Sequence, residues 1–294
     1  RDVRDLYAGK LQPPFTRELI SSQLDADRLD YLLRDSYMTG ATYGRYDLDW
    51  LIEVIELAAI PPDNNIGLAV SYPNGWRVAE QFVIGRHLMY QQVYFHRTIR
   101  AAERMIKLIF ERLRDLASNG ALPAFLPKPF QLLLEQPINK VAVSTYLKLD
   151  DHLTNTCIST WQDDNDPILG DLCTRVMHRN LFKSITLDAA RVSDDAAYEN
   201  ALCALQEECG KMSFDPRYYL AADSAQDMPY KDLGWSLEKN KASEEIWVAQ
   251  GGKGRSTLSE ISPLIQAISK TPVVTRRLCY PRELHDLVLK HLRN

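Results

Sequence analysis

Residues 19–48 read LISSQLDADRLDYLLRDSYMTGATYGRYDL, with five aspartates, three arginines and four tyrosines set among helix-favouring leucines. Ser22 followed by Asp25 has the form of a capping box, Leu29, Leu32 and Leu33 supply an apolar stripe, and Gly40 suits a C-terminal stop. The spacing predicts a helix over about 22–40. On such a helix, residues four apart share a face, which aligns Asp27, Tyr31 and Asp35 with Arg28 and Arg34 beside them. Spacing alone leaves two readings open. One is a solvated face laced by pairs such as Asp30 with Arg34. The other is a metal-assisted phosphate site, because carboxylate oxygens bind divalent cations and guanidinium groups clamp phosphate in bidentate fashion.

Outward from this stretch, YDLDWLIEVIELAAI (46–60) predicts a second helix closed by Pro61 and Pro62. PPDNN and SYPNGW then suggest a short hairpin with Asn74-Gly75 as its turn. From Val78 to Leu116 the apolar pattern predicts one long helix, spanning roughly 50 Å or more at ~1.5 Å per residue. Two further helical patterns cover residues 143–162 and 167–185. Beyond Ile185 the text changes character. RYYLAAD, EEIWVAQ and TRRLCYP are rich in β-branched and aromatic residues and alternate with helical segments. The expected fold is mainly α, with a helical body over 1–185 and a smaller C-terminal α+β lobe over 186–294.

Composition narrows the function classes. The 294 residues carry a net charge of −4 with 45% hydrophobic residues, so a sizeable core is expected and bulk attraction to nucleic acid is not. Cys157, Cys173, Cys203, Cys209 and Cys279 are odd in number and form no CxxC pair, which predicts reduced core thiols of a cytoplasmic protein. No apolar run reaches the ~20 residues of a membrane span. The opening RDVRDLYAGK has no initiator Met and no apolar leader segment, and further sequence before Arg1 is expected.

The stretch SSQLDADRLDYLLRDSYMTG closely resembles the region around the last metal-binding aspartate of HD-domain phosphohydrolases, in particular the deoxynucleoside triphosphate triphosphohydrolase (dGTPase-like) branch. GRHLMYQQVYFHRTIRAAERMI (85–106), RVMHRNLFKSI (175–185) and PRYYLAADSAQDMPY (216–230) resemble further blocks of the same enzymes, so the resemblance covers most of the chain. It implies an HD-domain-like helical body that hydrolyses deoxynucleoside triphosphates to deoxynucleoside and triphosphate. It also implies a divalent metal such as Mg²⁺ or Mn²⁺, and a homo-oligomer with a regulatory nucleotide at subunit contacts.

Carried over residue by residue, the resemblance makes Asp27 a metal ligand and Arg28 and Arg86 phosphate contacts. Tyr31 packs on the deoxyribose, and Asp35 bonds its 3′-hydroxyl. Tyr94, His96 and Arg97 match family positions without a firm role. The family's first histidine and its His-Asp pair precede the aspartate, whereas the 26 residues before Asp27 hold no histidine. The catalytic histidine and remaining ligands are therefore expected upstream of residue 1. Two alternatives stand beside this: another HD-type nucleotide phosphatase or phosphodiesterase, and a non-catalytic nucleotide-binding oligomer.

Other motifs carry less. His285-Asp286 is the one HD dipeptide and reads as a charged face of a terminal helix. His152 reads as an ordinary polar helix residue. QGGKGRST (250–257) lacks the order of a P-loop and reads as a hairpin loop. Arg175, Arg179 and Lys183 predict a basic stripe, a solvated face or, by the resemblance, a subunit or nucleotide contact.

Overall fold

The computed structural model describes residues 2–8, 10, 13, 15–61, 64–187, 195–227, 230, 245–251, 254–270 and 272–292. Two compact units form, residues 1–95 with 225–274 and residues 96–224 with 275–294. The fold is mainly α, as expected, with strands in the C-terminal part. Residue 185, the expected boundary, falls inside the second unit, because the strand that follows the helical body pairs with a strand near the C-terminus.

In chain order the strands are β1 (Ile55–Ile60), β2 (Asn65–Ser71), β3 (Lys183–Thr186), β4 (Ala221–Asp227), β5 (Trp247–Ala249), β6 (Arg255–Thr257) and β7 (Val273–Tyr280). The first unit carries the sheet β1-β2-β5-β6, in which β2 and β5 run parallel and the outer pairs antiparallel. Its β1–β2 hairpin corrects the sequence reading. The second helix stops at Val54, and IELAAI becomes a strand because Ile55–Ile60 pairs with all of Asn65–Val70. The hairpin connection therefore falls at residues 61–64, and Asn74-Gly75 instead leads into the Trp76–Met89 helix, with Gly75 as its N-cap. Of QGGKGRST, expected as a loop, Arg255–Thr257 form β6 against β5, Gly251 and Gly254 have positive φ, and Gly252 and Lys253 lie outside the described residues.

The long helix predicted over 78–116 is broken. Trp76–Met89 passes into a π-type turn over Tyr90–Tyr94, where the Phe95 N–H donates to the Tyr90 carbonyl at 2.8 Å. His96 then sits in an extended conformation and caps a new helix, Arg97–Ser118. Around the Trp76–Met89 helix, Leu32, Leu51, Phe82, Val83, Met89 and Val248 make the first unit's core.

In the second unit, Met105, Leu108, Ile109 and Leu113 of the Arg97–Ser118 helix pack with Trp161, Leu172 and Tyr280. β3 pairs antiparallel with β7 over Lys183–Thr186. Cys157, Cys173, Cys209 and Cys279 are buried free thiols, as expected, while Cys203 is free but exposed. The predicted basic stripe does not form, because the Pro167–Met177 helix ends before Arg179, which has φ +55°, and Lys183 lies on β3. Arg175 is buried and paired with Asp171 and Glu283 at 2.7 and 2.8 Å.

Arg112 grips Asp166 with Nε at 3.0 Å and Nη2 at 2.6 Å, and Asp166 also caps the Pro167–Met177 helix through the Leu169 N–H. Burial pushes the Asp166 carboxyl up, but Arg112 and the backbone amides outweigh it and hold it below its ordinary value. The unfolded chain then binds this proton at a higher pH than the folded chain, so the contribution is present above about pH 4 and is lost on acidification below it. Asp166→Asn is expected to flatten the fall in melting temperature between about pH 5 and 3, read by thermal melts across that range.

Candidate functional site

The helix of the opening stretch runs Ala26–Thr39, four residues shorter at its start than expected. Asp25 rather than Ser22 is its N-cap, with Oδ1 accepting from the Arg28 N–H at 2.8 Å and Oδ2 from the Ser22 N–H at 3.2 Å. Gly40 ends it in the left-handed region at φ +74°, as predicted. Tyr46 donates to the Leu29 carbonyl at 2.7 Å and ties the helix to the segment that follows. Two glycines allow close approach among this helix, the Thr42–Gly44 turn and the Trp76–Met89 helix. A Cβ on Gly44 would come within 2.7 Å of the Leu32 carbonyl oxygen, and one on Gly85 within 2.9 Å of that of Tyr43.

This packing gathers most of the predicted site. Arg86, beside Gly85, is only 5% exposed and donates from Nη1 to Gln23 Oε1 at 2.9 Å. Its guanidinium lies 5.9 Å from the centroid of the Tyr90 ring. Arg28 reaches the same Gln23 oxygen at 3.4 Å, and its Nε lies 3.5 Å from Asp25 Oδ2. Tyr31 is half-buried and stands edge-on to Tyr94, with ring centroids 6.1 Å apart at 77°. Burial pushes the Tyr31 phenol up, Tyr90 adds to this, and the charges of Arg86 and Arg28 pull against it.

Tyr94 donates to Asp35 Oδ2 at 2.7 Å, and burial followed by this contact with Asp35 raises its phenol. Tyr90 and Tyr94 both come from the π-type turn, a feature that recurs at functional sites. Arg28, Tyr31, Asp35, Arg86 and Tyr94 thus come together. Asp27 stands on the first turn, exposed. Asp30 and Arg34 form the exposed ion pair of a solvated face.

His96 and Arg97 belong to the second unit. His96 is exposed and caps the Arg97–Ser118 helix through the Thr98 N–H at 3.3 Å. Arg97 lines a separate cavity of about 330 Å³ with Lys183, Tyr280 and His285. His285 begins the terminal helix and stacks on Tyr280, and His152 is exposed on the Asp151–Thr160 helix.

A divalent cation of the kind the resemblance implies needs about six oxygen ligands or an equivalent set. Among the described residues no group of three or more His, Cys, Asp or Glu could hold one, so Asp27 by itself does not make the site. Sequence reasoning missed Gln23 and Tyr90. Gln23 precedes the helix and follows no periodicity, and Tyr90 lies one helical turn beyond Arg86, where its ring meets the guanidinium.

The uncharacterised protein YwfO of Bacillus subtilis is 32% identical to this chain over 284 residues, 97% of this chain and 61% of that protein. An uncharacterised protein of Mycoplasma pneumoniae is 27% identical over 256 residues, 85% of this chain and 56% of that protein. The chain thus spans about three fifths or less of these relatives' length. Among solved structures, a phosphohydrolase from Bacteroides thetaiotaomicron superimposes with a TM-score of 0.74 at 26% identity, covering 95% of this chain and 66% of that one. A hypothetical protein from Aquifex aeolicus has a TM-score of 0.66 at 22% identity, covering 99% and 64%, a likeness of fold alone. No family profile matches the chain. The likeness to a phosphohydrolase agrees with an HD-type phosphohydrolase fold. Among the described residues no helix is long and apolar enough to cross a membrane.

Proposed function

We propose that this chain is part of a phosphohydrolase that cleaves deoxynucleoside triphosphates to deoxynucleoside and triphosphate. The observation that carries the reading is the convergence of Arg28 and Arg86 on Gln23, beside Tyr31 and Asp35. The named phosphohydrolase of similar fold supports the hydrolase part, and the sequence resemblance supplies the substrate. In the reaction, a water oxygen bonds to the α-phosphorus and the bond from that phosphorus to O5′ breaks. O5′ leaves protonated on the deoxynucleoside, and the triphosphate carries the negative charge. Arg28 and Arg86 bind and orient that chain and stabilise its charge in a half-buried setting. Tyr31 occupies the space beside C2′, and Asp35 accepts from the 3′-hydroxyl.

Asp27 is proposed as one ligand of Mg²⁺ or Mn²⁺. Among the described residues no group of three or more His, Cys, Asp or Glu completes its coordination. The reduced cysteines favour a cytoplasmic protein, and the resemblance favours a homo-oligomer with a regulatory nucleotide at subunit contacts.

Triphosphate release from deoxy- and ribonucleoside triphosphates with Mg²⁺ or Mn²⁺, measured on the full-length protein, tests this reading. Tyr31→Ala is expected to lower the preference for the deoxy substrate by about tenfold or more, and Asp27→Ala to remove turnover. Monophosphate or diester cleavage with unchanged ribose discrimination in Tyr31→Ala would favour another HD-type activity. Nucleotide binding without turnover would favour a non-catalytic binder.

A further inference from the structure

Gln23 lies outside both helices that carry the site, yet its side chain joins them. It is 3% exposed, and its Oε1 takes Nη1 of Arg86 at 2.9 Å and, more weakly, Nη1 of Arg28 at 3.4 Å. Guanidinium groups only donate, so the amide oxygen must be the atom that faces them. Asp25, 5% exposed, fixes Arg28 from its other side.

We propose that Gln23 is a positioning residue for anion binding, a neutral acceptor that draws the Arg28 and Arg86 guanidinium groups onto one phosphate chain without neutralising either. The inference rests on the phosphohydrolase reading of this site. Two guanidinium groups sharing one acceptor repel each other, and a neutral amide offsets only part of that repulsion. Asp25 offsets part of the Arg28 charge, and an anion seated against both guanidinium groups would offset more. A carboxylate of the same length would bridge the arginines more firmly and cancel the charge that a phosphate needs.

Neutrality therefore separates positioning from plain structural bridging. Calorimetric titration of the full-length protein with inorganic triphosphate is the test, using wild type, Gln23→Glu, Gln23→Met and Arg28→Ala, with thermal melts alongside. Gln23→Glu is expected to bind triphosphate about tenfold or more weakly while melting at or above the wild-type temperature. Gln23→Met, which keeps the volume and loses the acceptor, is expected to bind more weakly as well. If Gln23→Glu binds within about twofold of wild type while Arg28→Ala is weakened, the positioning role is overturned and the anion site survives. If the wild type binds no triphosphate, or Arg28→Ala changes nothing, the anion site itself falls and the inference with it. Should Gln23→Glu melt far below wild type, Gln23→Met decides by the same criterion.

Discussion

Arg86→Ala is expected to weaken binding of a triphosphate chain by about a hundredfold, close to 3 kcal/mol, the scale of one or two charge-assisted hydrogen bonds. Arg86 is 5% exposed, so its charge acts in a setting where water screens it poorly. Its guanidinium is held at 2.9 Å by Gln23 and lies against the Tyr90 ring, so little side-chain entropy remains to be lost when an anion arrives. Arg86→Lys is not expected to restore affinity, because a point charge reproduces neither the planar fork nor the ring contact. Equilibrium titration with inorganic triphosphate reads the effect. A change below about threefold in a variant that melts as wild type would take Arg86 out of the anion site.

The largest stability effect is expected from Phe82→Ala, at about 3–5 kcal/mol. Phe82 is fully buried on the helix that carries Arg86 and meets the Tyr46 ring edge-on, with centroids 5.1 Å apart at 76°. Tyr46 in turn holds the Ala26–Thr39 helix at the Leu29 carbonyl. Removing the ring therefore leaves a cavity and frees one of the restraints on the helix of Asp27 and Tyr31. Phe82→Leu, which keeps most of the volume, is expected to cost less than about 1.5 kcal/mol. Urea titration of both variants measures the difference, and a loss below about 1 kcal/mol for Phe82→Ala would contradict the packing account.

Legibility in the sequence followed the range of the interactions. The common face of Asp27, Tyr31 and Asp35 was readable because the helical period fixes it, and the stop at Gly40 because a left-handed cap calls for glycine. Gln23 was not readable, since its role depends on Arg86, 63 residues along the chain. IELAAI carries helix-favouring Leu and Ala, and its pairing with β2 overrode that preference. The break after Tyr94 was hidden because apolar periodicity continues across it, and only the widened turn and the His96 cap reveal it. Residue 185 lies inside the second unit, where β3 finds its partner about ninety residues later, a pairing that no local pattern announces.

The bond from Tyr94 to Asp35 bears on how a sugar would be told apart from its analogues. Asp35 already accepts one hydrogen bond within the protein, and a carboxylate offers about four lone-pair sites, so on the proposed function an incoming hydroxyl would join a shared acceptor. A ligand lacking that hydroxyl would leave no stranded carboxylate behind, and the penalty that makes polar recognition stringent would be small. On the proposed function, discrimination at this end of the site would fall to exclusion by shape. The ring of Tyr31, braced edge-on by Tyr94, is the surface that a bulkier sugar would strike.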